Sequence, residues 1–295
     1  MSRLRQGLKS RYLITHPIRT HQLGEAFKQR GSVFLDQEIQ ALISWSPKSA
    51  CTQVLMWHLQ SLGLLQEARD QFPWLHNYRR AVLYRSNNRV AAQSSLYLSG
   101  PKRWQYIKVV RDPVKRCFSS YRHALGTGYA DRDMSEVLAQ PICHQEGFSL
   151  KTFLTYLSQV DLTNTNPHHQ LQSCRWDKQN WKAVFLIHID EFDLAGCLSF
   201  IDNLTGRPCA FADPMVVKAI HSDQHRYATP SQRVESTSEA WTIPLTKEDT
   251  RRWPQSALLH SGEAIALARQ LYQSDYEMIA ALRSKSQRFP DSLRR

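Results

Sequence analysis

Three polar residues lie where an apolar segment ends and an amphipathic segment begins: Lys48, Arg111 and Ser119. A guanidinium group binds phosphate oxygens through forked hydrogen bonds, whereas a lysine ammonium acts on them as a point charge. A serine hydroxyl near the start of a helix can add a donor to the same group. These residue types therefore indicate a site for an anion.

The segment YIKVVRDPVKRCFSSYR predicts a strand, a tight turn and a helix in immediate succession. Residues 106–110 suit a buried strand, Asp112 suits a helix N-cap, and Pro113 fits the first helical position because its missing N–H is not needed there. The apolar positions of the helix are Val114, Cys117, Phe118, Tyr121 and Leu125. Arg111 then ends the strand, and Ser119 lies two turns into the helix on a polar stripe.

The upstream segment LISWSPKSACTQVLMWHL repeats this order of strand, turn and helix. Its turn, residues 46–50, resembles a P-loop but lacks the glycines and the GK[ST] ending, so magnesium-dependent use of ATP is disfavoured. Lys48 remains as a point charge at the positive end of the following helix. The predicted ligand-binding residues here are Lys48, Ser49, Ala50, Cys51, Thr52 and Gln53. Such a turn suits an anion larger than one phosphate.

Taken together, PKSACT and VVRDPVKRCFSSYR resemble the paired donor-binding motifs of the sulfotransferases that use 3′-phosphoadenosine 5′-phosphosulfate (PAPS). The RDPxxRxxSxYR form is similar to that of the carbohydrate (type 2) sulfotransferases. The resemblance implies that Lys48 binds the 5′-phosphosulfate and that Arg111 and Ser119 bind the 3′-phosphate. Each motif is expected on its own strand–turn–helix unit.

Three later segments agree with this resemblance, which covers about residues 42–282. The segment NPHHQLQ resembles the HxxPQ segment of the carbohydrate enzymes, with His168 as its histidine and Gln172 as its glutamine, although Leu171 replaces the proline. Residues 184–200 resemble the third strand unit, with an acidic residue, Glu191, at the strand end. Residues 267–282 resemble the closing helix, whose Tyr-x-x-Asp pattern falls on Tyr272 and Asp275.

The resemblance implies transfer of the sulfuryl group from PAPS to an acceptor hydroxyl, most favourably on a carbohydrate, with 3′-phosphoadenosine 5′-phosphate (PAP) as the product. Lys48 is expected to stabilise the charge that develops on the bridging oxygen. No metal is expected, because a sulfuryl group carries less charge than a phosphoryl group. Two alternatives stay open: a divergent P-loop kinase that uses ATP, and a non-catalytic polyanion-binding protein.

The general base is poorly determined by the sequence. Histidine suits this task near neutral pH. His168 is the first candidate, and His76, between the two motifs, is the second. His123 is expected to flank the donor, and His188, within an apolar strand, to be a core residue.

The charge of the chain is concentrated at its ends. Of the formal +12, residues 1–24 carry +5 and residues 283–295 carry +4, so the body carries only +3. This distribution predicts basic tails on a single domain over residues 1–295, and it implies no basic face for nucleic acid. No Gly/Ser linker or internal repeat divides the chain.

No apolar run is long enough to span a bilayer, and residues 1–24 lack the hydrophobic core of a signal peptide. Animal carbohydrate sulfotransferases typically carry a membrane anchor, so a chain that starts at Met1 without one is expected to be bacterial and cytoplasmic. The six cysteines form no CxxC pair, which favours reduced thiols.

The same units predict an α/β fold, a P-loop-like three-layer domain with a central parallel sheet between helices. Its predicted strands are residues 42–46, 105–111 and 183–189, with a further short strand at 81–85. Its predicted helices include residues 21–30, 149–160 and 260–284, and residues 206–254 are expected to form loops with short helices.

Overall fold

The computed structural model describes residues 32–212, 241–249 and 261–295 as a four-stranded sheet with helices around it. The strands are β1 (Ser32–Asp36), β2 (Ala41–Trp45), β3 (Gln105–Val110) and β4 (Ala183–His188). The α-helices are α1 (Cys51–Ser61), α2 (Leu65–Gln71), α3 (Leu75–Ala81), α4 (Asn87–Ser99), α5 (Pro113–Thr127), α6 (Asp131–Leu138), α7 (Leu150–Ser158), α8 (Leu194–Leu204), α9 (Gly262–Leu271) and α10 (Gln273–Arg283). The predicted helix at 21–30 and most of the predicted loop region at 206–254 lie outside the described residues.

The sheet is mixed, with strand order β1-β2-β3-β4. β1 runs antiparallel to β2 because only the turn at residues 37–40 joins them, whereas helical crossovers make β2, β3 and β4 parallel. Ile43 is the register partner of Ile107, which in turn is the partner of Phe185. The three parallel strands were predicted, but the wholly parallel sheet was not correct, because β1 adds an antiparallel edge strand. This strand was not predicted, since it lies before the region that the motifs cover.

Helices cover both faces of the sheet because successive strand residues alternate between the faces. Ile43 and Ile107 belong to one core with α1 and α8. Leu42 and Tyr106 belong to a second core with α4 and α10. A third core joins α5, α7 and α9 beside the sheet.

The strand predicted at residues 81–85 is wrong. Ala81 ends α3, and residues Leu83–Arg85 form one turn of 3₁₀ helix. Short apolar runs such as AVLY do not distinguish a strand from a buried helical turn.

The helix predicted at 149–160 is present as α7, with Ser149 as its N-cap, but the long helix predicted at 260–284 is two helices. α9 and α10 meet at Tyr272, a fully buried residue whose hydroxyl donates to the backbone oxygen of His169 at 2.6 Å. All six cysteines lie in the described part of the chain and are free thiols. Among the described residues, the model contains no helix that is both long and apolar enough to cross a membrane.

Candidate functional site

The two predicted anion-binding turns lie side by side, because β2 and β3 are adjacent parallel strands. We call residues 46–50 the lysine turn and residues 111–113 the arginine turn. Arg111 Nη1 donates to the backbone oxygen of Lys48 at 3.3 Å. Arg116 Nε donates to the backbone oxygen of Pro47 at 3.1 Å. Both side chains therefore connect the second unit to the lysine turn.

The lysine turn has an unusual backbone for a sequence without glycine. Lys48 and Ala50 adopt left-handed conformations, with φ of 71° and 57°. Such a conformation costs an L-residue roughly 1–2 kcal/mol. The turn is closed by the hydrogen bond from Ser49 N to Ser46 O, at 3.1 Å. The turn thus reverses the chain between β2 and α1 at a cost in local strain, which is often found at functional sites.

The N-terminus of α1 is open to a ligand. Its N-cap, Ala50, makes no side-chain capping bond, and its first turn carries no acidic residue. The first turn begins with Cys51, Thr52 and Gln53, as predicted. Since the first N–H groups of a helix have no intrahelical partner, they can bind an anion together with the positive end of the helix dipole.

Lys48 adds positive charge beside this helix end. Burial lowers the pKa of Lys48 to about 8, three guanidinium groups act in the same direction, and the Cys51 thiol opposes them. These groups belong to Arg111, Arg122 and Arg116. Within the described part of the chain, no carboxylate forms an ion pair with Lys48. An anion placed here would neutralise charge that no carboxylate of the described residues pairs with.

Arg116 is a site residue that the sequence analysis missed. It is fully buried, and its Nη2 donates to the backbone oxygens of Gln170, at 2.6 Å, and Pro167, at 3.3 Å. Its Nη1 is buried and finds no hydrogen-bond partner among the described residues. A usable signal was present, because Arg116 is the second arginine of the RDPxxRxxSxYR pattern.

Gln172 joins the two turns. Its Oε1 accepts from Ser49 Oγ at 3.1 Å and from Arg111 N at 3.0 Å, and its Nε2 donates to Arg111 O at 2.9 Å. Its backbone oxygen accepts from Lys108 Nζ at 2.6 Å, and its backbone N–H donates to Asp275. The hydroxyl of Ser49, a predicted ligand-binding group, is therefore bonded to protein. The sequence resemblance matches Gln172 to the glutamine of the HxxPQ segment but does not predict that it connects the two turns.

The two adjacent histidines of the NPHHQLQ segment occupy different environments. His169 is fully buried, and its Nε2 lies 2.9 Å from Thr165 Oγ1 and 3.2 Å from Tyr156 Oη. His168 is half-buried, and its Nδ1 lies 3.0 Å from Asn166 Oδ1. Because an amide oxygen only accepts, this contact assigns the proton to Nδ1 and the lone pair to Nε2.

His168 lies close to the positive charge of the lysine turn. Burial, with the nearby His123 and Lys48, lowers the pKa of His168 to about 3. The His168 ring packs against the rings of His123, at 4.5 Å, and Tyr129, at 4.7 Å. His123 itself has a pKa lowered to about 4 by burial and by Lys48. Both imidazoles are thus neutral near pH 7, and His168 Nε2 can accept a proton.

His76, the second predicted base, lies beside the start of α1. Its Nε2 is 3.3 Å from Thr52 Oγ1 and 3.7 Å from Cys51 Sγ. Burial and the positive charges of Arg79 and Arg80 lower its pKa to about 4. The structure therefore brings both candidate bases to the lysine turn, one from α3 and one from the loop that follows α7.

A carboxylate that the sequence analysis missed lies on the arginine turn. Asp190 Oδ2 accepts from Asp112 N at 2.9 Å, and its Oδ1 lies 3.1 Å from Lys115 Nζ and 4.0 Å from Arg111 Nε. Burial alone would raise the pKa of Asp190, but these partners lower it below its ordinary value. The sequence analysis named the next residue, Glu191, which pairs with Arg283 at 2.7 Å on the surface.

Ser119 is half-buried on α5, one turn after Lys115 and one turn before Arg122. Residues three or four apart share a helix face, so the hydroxyl lies on the basic side of α5. The site as a whole combines an open helix terminus, a lysine, three arginines and neutral histidines. This combination can bind a polyanion and accept a proton beside it.

No family model, curated protein or solved structure matches the chain.

Proposed function

We propose that the chain is a PAPS-dependent sulfotransferase that sulfates an acceptor hydroxyl, with a carbohydrate as the favoured acceptor and a P-loop-like arrangement of the domain. One observation carries the proposal: Arg111 of the second unit donates to the backbone oxygen of Lys48, just before the uncapped start of α1. Two adjoining anion sites suit a donor that carries phosphate at two positions. The sequence resemblance to the carbohydrate sulfotransferases supplies the sulfuryl group and the acceptor class.

The donor is oriented by the difference between the turns. The 5′-phosphosulfate binds at Lys48 and the first N–H groups of α1, where the helix end adds positive potential. The 3′-phosphate binds to Arg111 and Ser119, and it competes there with Asp190, 4.0 Å from Arg111 Nε. Lys115 compensates this carboxylate at 3.1 Å, so the Arg111 guanidinium keeps net positive charge for a phosphate.

The reaction is an in-line displacement at sulfur. The acceptor oxygen forms a bond to sulfur while the bond from sulfur to the bridging oxygen of the 5′-phosphate breaks, and that oxygen leaves with the electron pair on PAP. Lys48 stabilises the charge that develops on the bridging oxygen. The acceptor proton passes to a histidine.

His168 is the proposed base because Asn166 orients its ring with the lone pair on Nε2. A pKa of about 3 is low for this task. Burial is the main cause of this low pKa, and the phosphates of the donor oppose the nearby cations that lower it further, so donor binding raises the pKa. His76, which contacts Thr52, is then assigned to fixing the start of α1.

The test compares ligands and then variants. We expect PAP to raise the melting temperature without magnesium, and radiolabelled PAPS to sulfate an oligosaccharide acceptor. Arg111→Ala should raise the PAPS concentration needed for half-maximal rate, whereas Lys102→Ala, an exposed lysine before β3, should match the parent. Protection by ATP with magnesium but not by PAP would instead support a kinase. Salt-sensitive retention on heparin that survives Arg111→Ala, without transfer, would support a polyanion-binding protein.

A further inference from the structure

A second cluster of polar residues lies between the end of α5 and the loop before α7. Asp131, Cys143 and His144 present a carboxylate, a thiol and an imidazole whose ligand atoms all lie within 4.8 Å of one another. Asp131 Oδ2 lies 2.6 Å from His144 Nδ1 and accepts from His144 N at 3.0 Å. The cluster thus has three groups of the kinds that bind transition metals.

One observation points to a ligand at the cluster, and a second shows how its histidine is placed. Asp131 Oδ1 is buried and has no hydrogen-bond partner among the described residues, so one acceptor of the carboxylate is unused. Gly128, at the end of α5, has a φ of 66°, and a Cβ at this position would overlap the His144 ring. Glycine at this helix end therefore lets the His144 ring pack against the end of α5, next to Asp131.

We propose that Asp131, Cys143 and His144 bind a zinc-like divalent cation, with solvent as the fourth ligand. Zinc is bound by sulfur, nitrogen and oxygen at about 2.0–2.3 Å in tetrahedral sites, which places ligand atoms roughly 3–4 Å apart. The three groups reach this arrangement by small side-chain movements. Binding releases the thiol proton of Cys143 to solvent, while the ring proton between His144 and Asp131 is replaced by one on His144 Nε2, and no redox change occurs.

The metal would connect this cluster to the candidate site through Tyr129. Tyr129 lies between Gly128 and Asp131, and its hydroxyl is 2.7 Å from Ser120 Oγ and 3.4 Å from His169 Nδ1. Its ring also packs against His168. A metal that joins Asp131 to the loop at residues 143–144 would therefore also fix the position of Tyr129, which contacts His168 and His169.

The experiment uses metal binding rather than activity, so it is independent of the proposed transferase. The metal-free full chain is titrated with Zn²⁺ against a chromophoric chelator and with Co²⁺ in an absorption spectrometer. We expect one equivalent to bind, a thiolate-to-cobalt charge-transfer band to appear, and alkylation of Cys143 to slow in the presence of Zn²⁺. Cys143→Ser should abolish the band and weaken Zn²⁺ binding by more than the roughly 10- to 100-fold that loss of an outer-shell partner costs.

Cys209→Ser is the matched control, because this half-buried thiol contacts Ser199 Oγ and belongs to no candidate metal group among the described residues. It should bind Co²⁺ as the parent does. Asp131→Asn provides a second variant if Cys143→Ser fails to fold. The proposal is overturned if the parent binds no equivalent of Zn²⁺, or if Cys143→Ser or Asp131→Asn keeps the parent affinity and spectrum.

Discussion

The helices α1 and α5 both follow a strand and a short turn, but their N-termini are capped differently. At α5, Asp112 caps the helix by accepting from Lys115 N at 2.9 Å, and Pro113 occupies the first turn. At α1, the N-cap is a left-handed alanine without a capping bond. One helix supplies its own carboxylate, whereas the other leaves its first N–H groups to an external anion. Of these two termini, the proposed function therefore uses only that of α1 as a binding group.

The surroundings of the two helix starts also differ in charge, and those of α1 are the more positive. Lys48 lies among arginines, whereas Arg111 shares Asp190 with Lys115. A carboxylate beside Arg111 lowers its net attraction for anions, which is why the proposed orientation places the more densely charged end of the donor at α1. This comparison predicts that changes at the two starts affect different kinetic constants.

The largest expected effect follows Lys48→Ala. Loss of a charge aimed at the leaving oxygen should lower the rate constant for sulfate transfer by about 10²- to 10³-fold. Folding should be retained, because the ammonium is surrounded by like charges. Single-turnover transfer from PAPS measures the rate, and thermal unfolding checks the fold. If Lys48→Ala changed only the PAPS affinity, the proposed difference between the two starts would be lost.

Gln172→Ala should separate the two turns. It removes three side-chain hydrogen bonds, a buried one to Ser49 and part-buried ones to both backbone groups of Arg111. Each net bond contributes about 0.5–1.5 kcal/mol, and unsatisfied buried partners cost more, so we expect the free energy of unfolding to fall by about 2–4 kcal/mol. Urea unfolding measures this change. Gln170→Ala is the matched control, since its amide makes an exposed bond to Thr163 O and its loss should change stability little.

Part of the candidate site was predictable from the sequence, and part was not. The lysine and arginine turns were predictable because strand, cap and helix signals are local. Asp190 was not, because its bond to Asp112 joins positions 78 residues apart and its acidic neighbour Glu191 carried the same signal. The left-handed alanine of the lysine turn was also unpredictable, since nothing in its residue type requires that conformation.

The pH dependence of donor binding tests whether the charge of Lys48 contributes to anion binding at the start of α1. With its pKa lowered to about 8, Lys48 loses its proton in the folded chain well below the ordinary value of 10.5. Between these values the unfolded state binds more protons, so stability of the unliganded chain should rise with pH in this window. PAP affinity should fall above about pH 8, by up to about tenfold per pH unit, because the anion requires the ammonium.

Calorimetric titration of PAP across this window measures the affinity, and Lys48→Ala should remove the slope. The phosphates of PAP are already fully ionised above pH 7, since their second pKa is about 6, so the ligand contributes no slope of its own. A PAP affinity that stays constant from pH 7 to 10 in the parent would contradict the assignment of Lys48 to the donor.

The smallest expected effect comes from glycine in the lysine turn. Ala50→Gly relieves a left-handed conformation that costs about 1–2 kcal/mol but adds freedom to the unfolded chain, so we expect a net gain of about 0.5–1 kcal/mol in the free energy of unfolding. Ala139, with a φ of 51°, offers a matched control after α6. Both glycine variants should be stabilised, as urea unfolding measures. Only Ala50→Gly should weaken PAP binding, because a more mobile turn must be ordered when the anion binds, and equal PAP affinities in the two variants would show that the strained turn is not part of the donor site.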